Sequence, residues 1–327
     1  MTHSRELVGA LFPLLFVGLG IAAPPVAATP LVWVTNEHAG TVTVIDADAD
    51  RVIGTVAVGS RPRGVQASPD GRRVYVAVSD RDDRSREAIV VIDAGTQKIV
   101  ARLPSGLDPE QFAISPDGKT LVVANEDAAV ASLLDLESGK LSPGIPVGEE
   151  PEGVGITPDG HSAWVTSESG NSITILDLAG TTSPKTLPVE TRPRVVTFSH
   201  DGRIAYVSCE VAAVLLVLDS ETRESHARIA FAEPEKPEGI ALSPDGRFLF
   251  VATSHGNSVA VVDAQAHSIV QRIPVGSRPW GLAIASNGKL YSANGKSNDV
   301  TVIDSAERRV LATLPAGAGP WGVATTP

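Results

Sequence analysis

Two positions recur along this sequence while their chemistry changes from one recurrence to the next. The first follows a repeated proline and reads Arg63, Glu110, Glu152, Arg194, Glu238, Trp280 and Trp321. The second closes a repeated short apolar run and reads Glu37, Ser79, Glu126, Glu168, Glu210, Ser254 and Gly295. Guanidinium groups clamp carboxylates, indole faces stack flat ligands, and grouped carboxylates take up a hard cation. Gathered in one place, these residues make a polar site with aromatic walls. The alternative is that Arg and Glu neutralise one another in a ring of hydrated ion pairs. Among the histidines, His38 and His255 fall just after the second position and are the two placed to ligate haem or a metal. No Ser-His-Asp order, His-x-x-x-His pair or phosphate loop occurs. An enzyme site would therefore have to be assembled from several repeats, and no catalytic residue is assigned.

The element that must position these residues is the repeat itself. A Val/Leu-Ile/Leu-Asp run, with variants, ends at Asp46, Asp93, Asp135, Asp177, Asp219, Asp263 and Asp304. Pro62, Pro109, Pro151, Pro193, Pro237, Pro279 and Pro320 keep step with it, as do Asp/Asn-Gly turns from Gly71 to Gly288. A period of about 42 residues with four short strands per unit is the signature of propeller blades. In one unit the strands fall at residues 239–242, 248–252, 258–262 and 269–273. Seven Asp and seven Pro landmarks predict an all-β, seven-bladed β-propeller of four-stranded antiparallel blades. Residues 31–58 supply three strands and residues 321–327 a fourth, so the two chain ends pair in one blade and close the ring. This hides an exposed sheet edge.

Slots filled alike in every blade belong to the scaffold. The seven Asp read as turn anchors. The slot Trp33, Tyr75, Val122, Trp164, Tyr206, Phe250 and Tyr291 reads as packing between blades, and Cys209 as a small semi-buried residue. The varied slots fall on the face formed by the loops from strand d to a and from b to c. Arg63, Glu110, Glu152, Arg194, Glu238, Trp280 and Trp321 are expected to ring the channel mouth. Glu37, Glu126, Glu168, Glu210 and His255 form an outer ring. Length changes fall on the same face, in the charged stretch Asp80 to Glu87 and around Glu233 to Lys236.

The chain has 327 residues and a net charge of −11, with no basic patch, which argues against nucleic acid or anionic lipid as partners. Residues 1–28 read as a cleaved signal peptide: an apolar run from Leu7 to Ala23, then small residues with the cut after Ala28. Residues 29–327 are then a single periplasmic propeller domain, free of the membrane and expected to be monomeric. Cys209 is the sole cysteine, so no intrachain disulfide or Cys-x-x-Cys-His haem attachment is available.

Trp33-Val34-Thr35-Asn36 resembles the tetrapeptide of the YVTN-repeat propellers. Arg61-Pro62-Arg63-Gly64, Pro104 to Glu110, Val123 to Asp127, Glu150-Pro151-Glu152-Gly153, Thr166-Ser167-Glu168, Arg192-Pro193-Arg194, Ser297 to Asp304 and Pro320-Trp321-Gly322-Val323 stand in the order seen in a narrower group. That group is the propeller family associated with pyrroloquinoline-quinone (PQQ)-dependent alcohol catabolism. The resemblance implies a periplasmic binding or scaffold protein, accessory to alcohol oxidation. It would take a small molecule, or a quinoprotein dehydrogenase or cytochrome c partner, on the varied face. The fold is also similar to the haem d1 domain of cytochrome cd1 proteins. The rival expectation is therefore a propeller that carries haem, quinone or a divalent cation, with redox or lyase activity at the mouth.

Overall fold

Short Val/Ile-rich runs, each ended by a turn residue, are too brief to bury their surface alone and must stack as sheets. In the computed structural model, which describes residues 29–326, they form seven four-stranded antiparallel sheets arranged as a seven-bladed propeller. One blade runs through Pro237–Leu242, Phe248–Thr253, Ser258–Asp263 and Ser268–Pro274, within two residues of the expected limits. The blade beginning at Pro109–Ile114 departs from the pattern, since its outermost strand is only Ile145–Pro146. Ring closure is as expected: Leu31–Asn36 pairs antiparallel with Pro320–Thr326, setting Trp33 opposite Ala324. The proposed signal peptide lies outside the described residues. Among the described residues no helix is long and apolar enough to cross a membrane.

The core is a set of layers between neighbouring blades, because each sheet is covered on both faces. Trp164 and Ile173 of one blade pack on Val196, Phe198 and Val207 of the next, with the Trp164 and Phe198 rings edge to face at 5.5 Å. All seven residues of the large strand-b slot are buried. Cys209 is fully buried as well, and burial pushes its thiol up to about 12. The face opposite the varied loops is built from local turn chemistry. All seven landmark Asp accept hydrogen bonds from turn amides, as Asp263 does from Gln265 and Ala266 at 3.0 and 2.8 Å. In five blades a Ser or Thr two residues before the turn Asp donates to it, as Ser243 does to Asp245 at 2.6 Å.

One irregularity positions the site. In every blade the pairing of strand a with strand b slips just after the landmark proline, for example between Pro193 and Val196. The two residues inside each slip leave the ladder. A bulge of this kind re-aims a side chain, and here it bears on the residue after the proline, repeated seven times around the channel.

Candidate functional site

The bulged residues meet at the channel mouth, a cavity of about 430 Å³ walled by Arg63, Glu152, Arg194, Trp280 and Trp321, with Glu37, Glu126, Glu168 and His38 on its rim. Below it the channel continues as a space of about 500 Å³ between the strands a, sharing Glu152, Arg194, Trp280 and Trp321 and adding Glu238. Sizes in this range suit small organic ligands. Trp280 and Trp321 stack with centroids 6.3 Å apart and planes 25° from parallel. Arg63 lies on Trp321, while Arg194 and Arg278 lie on Trp280.

The arginines and carboxylates form two stations rather than a solvated ring. Both carry the same pattern at the same spacing: Thr35-x-Glu37 with Arg61-Pro62-Arg63, and Thr166-x-Glu168 with Arg192-Pro193-Arg194. In each, the threonine hydroxyl donates to the carbonyl of the inner arginine, Thr35 to Arg63 at 2.7 Å and Thr166 to Arg194 at 2.8 Å. Arg194 bonds to Glu168, lies 2.8 Å from Glu210 and 3.2 Å from Glu152, and reaches Glu238 at 3.4 Å. Arg192 lies 2.8 Å from Glu168 and 3.1 Å from Glu210. In the other station Arg63 bonds to Glu110 and Glu37, and Arg61 bridges Asp108 at 3.2 Å. Here the inserted stretch after Asp80 adds two cations. Arg81 reaches Asp108 and Glu126, and Arg84 reaches Asp127.

Burial makes these carboxylates titrate unusually. Glu168 is pushed up to about 8, first by desolvation and then by the adjacent Glu152 charge and a hydrogen bond shared with it. Glu152 is also penalised by burial, but Arg194 and Arg63 outweigh that and hold it below the ordinary carboxylate range. The two carboxyls therefore titrate as one coupled pair, which keeps a proton above the ordinary carboxylate range, with Glu168 the member whose proton affinity is raised. Burial also pushes Glu110 and Glu238 well up, against the pull of Arg63 and Arg194 respectively.

The expected rim residues are therefore brought together unequally. Glu110 and Glu238 are buried behind arginines rather than lining the mouth cavity. Glu210 serves Arg192 and Arg194. His255 is exposed beside Ser254, 3.3 Å from its hydroxyl, and does not line the cavity, which corrects its place in the outer ring. His38 does line it. A ring of seven was missed: the residues before the landmark prolines, Arg61, Asp108, Glu150, Arg192, Lys236, Arg278 and Gly319. Six of them adopt a left-handed backbone, from φ 41 at Arg61 to φ 69 at Gly319. Non-glycine residues avoid that region, so its recurrence marks a constrained loop. Their varied chemistry in a fixed slot was the available signal.

Asp108, Glu110 and Glu126 are spaced to share a cation. Arg61, Arg81 and Arg84 already approach the Asp108 carboxylate, at 3.2, 3.5 and 4.0 Å, and supply the positive charge there.

The family model described as the cytochrome D1 heme domain matches residues 27–152. The model described as lactonase, 7-bladed beta-propeller, matches residues 148–314, about half of the chain. No curated protein matches. Among solved structures, the chain is similar to the Pseudomonas aeruginosa periplasmic gluconolactonase, at 21% identity and TM-score 0.76, covering 91% of this chain and 99% of that one. A putative 6-phosphogluconolactonase from Bacteroides fragilis gives 18% identity and TM-score 0.78, over 93% and 100%. A dihydro-heme d1 dehydrogenase gives 22% identity and TM-score 0.65, over 87% and 63%.

Proposed function

Since the chain belongs to the seven-bladed β-propeller lactonase family, we propose that it binds a small, flat, oxygen-rich ring compound in the channel mouth and is equipped to open a cyclic ester there. The observation that carries this reading is that Glu152 and Glu168 both reach Arg194 and line the mouth cavity beside the Trp280–Trp321 stack, where burial and the Glu152 charge raise the proton affinity of Glu168. Indole faces take the apolar face of a sugar-like ring, and two carboxyl groups sharing a proton can serve as base and acid at once. Ionised Glu152 accepts a proton from water as its oxygen adds to the ester carbonyl. Glu168 donates its proton towards the carbonyl oxygen, and collapse of the adduct expels the ring alkoxide. That alkoxide takes up the proton held by Glu152, and return of the new acid's proton to Glu168 resets the pair. Arg192, 2.8 Å from Glu168, stabilises the charge on that side.

The setting we propose is the periplasm, with the quoted motif order supporting an accessory role in PQQ-linked alcohol oxidation. Oxidised sugars and alcohols readily close to lactones, which gives the two readings a common chemistry. A dehydrogenase or cytochrome c partner belongs to the same proposal. The test is hydrolysis of gluconolactone by the purified protein followed at constant pH. Glu168→Gln should lower the rate about 100-fold, the ordinary scale of acid–base assistance. No hydrolysis above the buffer rate, or an unaltered rate in the variant, contradicts the catalytic part.

A second reading, a bound tetrapyrrole, is favoured by the match of residues 27–152 and by His38 on the rim. His38 would be the residue that holds it, through a ring nitrogen. A visible absorbance spectrum of protein purified from periplasm separates the two: a stoichiometric chromophore lost in His38→Ala supports the tetrapyrrole, and a blank spectrum removes it.

A further inference from the structure

The threonine of each station holds more than its arginine. Thr35 and Thr166 occupy a strand-b slot that is alanine in four of the other blades and Ser208 in the fifth. Both are fully buried. The slip in strand a takes Glu152 and Gly153 out of the ladder, and the freed Gly153 N–H donates to the Thr166 hydroxyl oxygen at 2.8 Å. The same hydroxyl donates to the Arg194 carbonyl of the next blade, also at 2.8 Å. One side chain thus ties the backbone beside Glu152 to the backbone of Arg194, and the two charged groups meet at 3.2 Å. Gly153 is required for this approach, since a Cβ there would strike the Arg194 carbonyl. Thr35 repeats the arrangement on different residues. It accepts from the Gly322 N–H at 2.8 Å and donates to the Arg63 carbonyl at 2.7 Å. It therefore ties the backbone beside Trp321 to that of Arg63, whose guanidinium lies 5.7 Å from the Trp321 centroid. Ser208 takes the Val195 N–H of its own blade at 3.2 Å. Among the described residues only the two threonines also reach from this slot into the next blade.

We infer that Thr166 and Thr35 are positioning residues with separate tasks: Thr166 sets Glu152 and Arg194, and through them the carboxyl of Glu168, while Thr35 sets Trp321 and Arg63 on the stacking wall. Both tasks rest on the reading of the mouth as a site that stacks a ring beside an acid–base pair. A buried hydroxyl that accepts one bond and donates another has its direction fixed at both ends, and the β-branch of threonine narrows its rotamers further. Valine keeps the shape but leaves a buried amide and a buried carbonyl without partners. The spacing of the two blades must then relax or admit water. In one station this alters how Glu152 and Arg194 lie against Glu168, which also faces Arg192, with Glu210 across the two arginines. In the other it alters the seat of Trp321, where no proton is moved.

Thr166→Val and Thr35→Val remove equivalent bonds, so a purely structural role predicts similar behaviour from both. Each is followed in the full protein by two NMR signals that need no turnover: the carbon-13 titration of the Glu168 carboxyl and the nitrogen-15 indole signal of Trp321, assigned with Glu168→Gln and Trp321→Phe. Thr166→Val should lower the Glu168 midpoint by about 1 in pH and leave the Trp321 signal near its wild-type position. Thr35→Val should displace the Trp321 signal and leave the midpoint in place. Thr166→Ser, which keeps the hydroxyl, should retain the wild-type midpoint. In gluconolactone hydrolysis the same split should appear as a kcat lower by about 10-fold at unchanged KM for Thr166→Val. For Thr35→Val it should appear as a KM raised about 3- to 10-fold at unchanged kcat. A Glu168 midpoint that Thr166→Val does not move, that Thr35→Val moves equally, or that Thr166→Ser does not retain overturns the inference. The NMR split in a protein without hydrolysis supports the positioning roles and removes the catalytic reading. Where Thr166→Val does not fold, Thr166→Ala, which removes the same bonds with a smaller side chain, is read in its place.

Discussion

The Arg63 and Arg194 stations start from the same residues and end in different electrostatic states. Each has two arginines two residues apart, a threonine clamping the inner one and a glutamate from the preceding blade. Around Arg194 and Arg192 stand four glutamates, Glu152, Glu168, Glu210 and Glu238. Two guanidiniums cannot compensate four buried carboxylates, so protons make up the difference, and Glu168 holds one up to about 8. Around Arg63 and Arg61 the insertion brings in Arg81 and Arg84, and added guanidiniums do much of what protons do in the other station. Excess carboxylate in a dry site is thus relieved either by a proton or by a second cation. Both stations keep a buried carboxyl that holds its proton above the ordinary range, Glu110 in one and Glu168 and Glu238 in the other, and of these Glu168 is the one that lines the mouth cavity.

Breaking the inner arginines should separate the stations most sharply. Arg194→Met takes the ion-pairing arginine from Glu152 and Glu238 and leaves Glu168 and Glu210 to Arg192 alone, and should cost about 3–5 kcal/mol in urea unfolding, the usual cost of leaving buried charge unpaired. Arg63→Met should cost clearly less, because Arg61 and Arg81 remain. Equal losses would remove the distinction. A scaffold control of comparable size is Trp33→Ala, expected to cost about 3–5 kcal/mol through a core cavity without altering the pH dependence of either station.

The proton in the Arg194 station should show in stability against pH. The folded state keeps the Glu168 proton to about 8, whereas an unfolded glutamate loses it in the ordinary carboxylate range. Between those limits the folded protein binds the extra proton, so stability falls as pH rises through the window. Glu110 and Glu238 act in the same direction. Asp159 and Asp177, held near 2 by local hydrogen bonds, act oppositely and weaken the fold as pH falls through the ordinary range towards 2. Thermal melts from pH 5 to 9 should therefore decline, and Glu168→Gln should flatten the decline. An unchanged slope in that variant would show that the proton sits elsewhere.

The smallest effect is expected from the insertion. Arg81→Gln together with Arg84→Gln should make the Arg63 station resemble its partner, raising the proton affinity of Glu110. The expected sign is a steeper loss of stability than in the wild type as pH rises above the ordinary carboxylate range, and the change should be small because both arginines are partly exposed.

The scaffold was legible because each blade repeats its own instructions. Asp263 and its six counterparts satisfy turn amides two and three residues away, so spacing alone exposes their role. The mouth was legible as a location, since the post-proline slot varies in chemistry while the blade around it does not. Its electrostatics were not. The partners of Arg194 come from three blades and lie 16 to 44 residues away in sequence, and no periodicity states which carboxylate they meet. The left-handed slot of Arg61, Arg192 and Arg278 was also hidden, because its side-chain direction depends on a loop conformation that non-glycine residues rarely adopt. His255 shows the opposite failure: its register was right, but the b-to-c loop turns it away from the cavity.

The most direct test is a carbon-13 titration of the glutamate side-chain carboxyls by NMR on the intact protein. A carboxyl with a midpoint near 8 that disappears in Glu168→Gln, and persists in Arg81→Gln with Arg84→Gln, is the predicted result. A spectrum in which no Glu168-dependent carboxyl titrates above about pH 6 would contradict the proton-sharing pair and the acid–base role built on it.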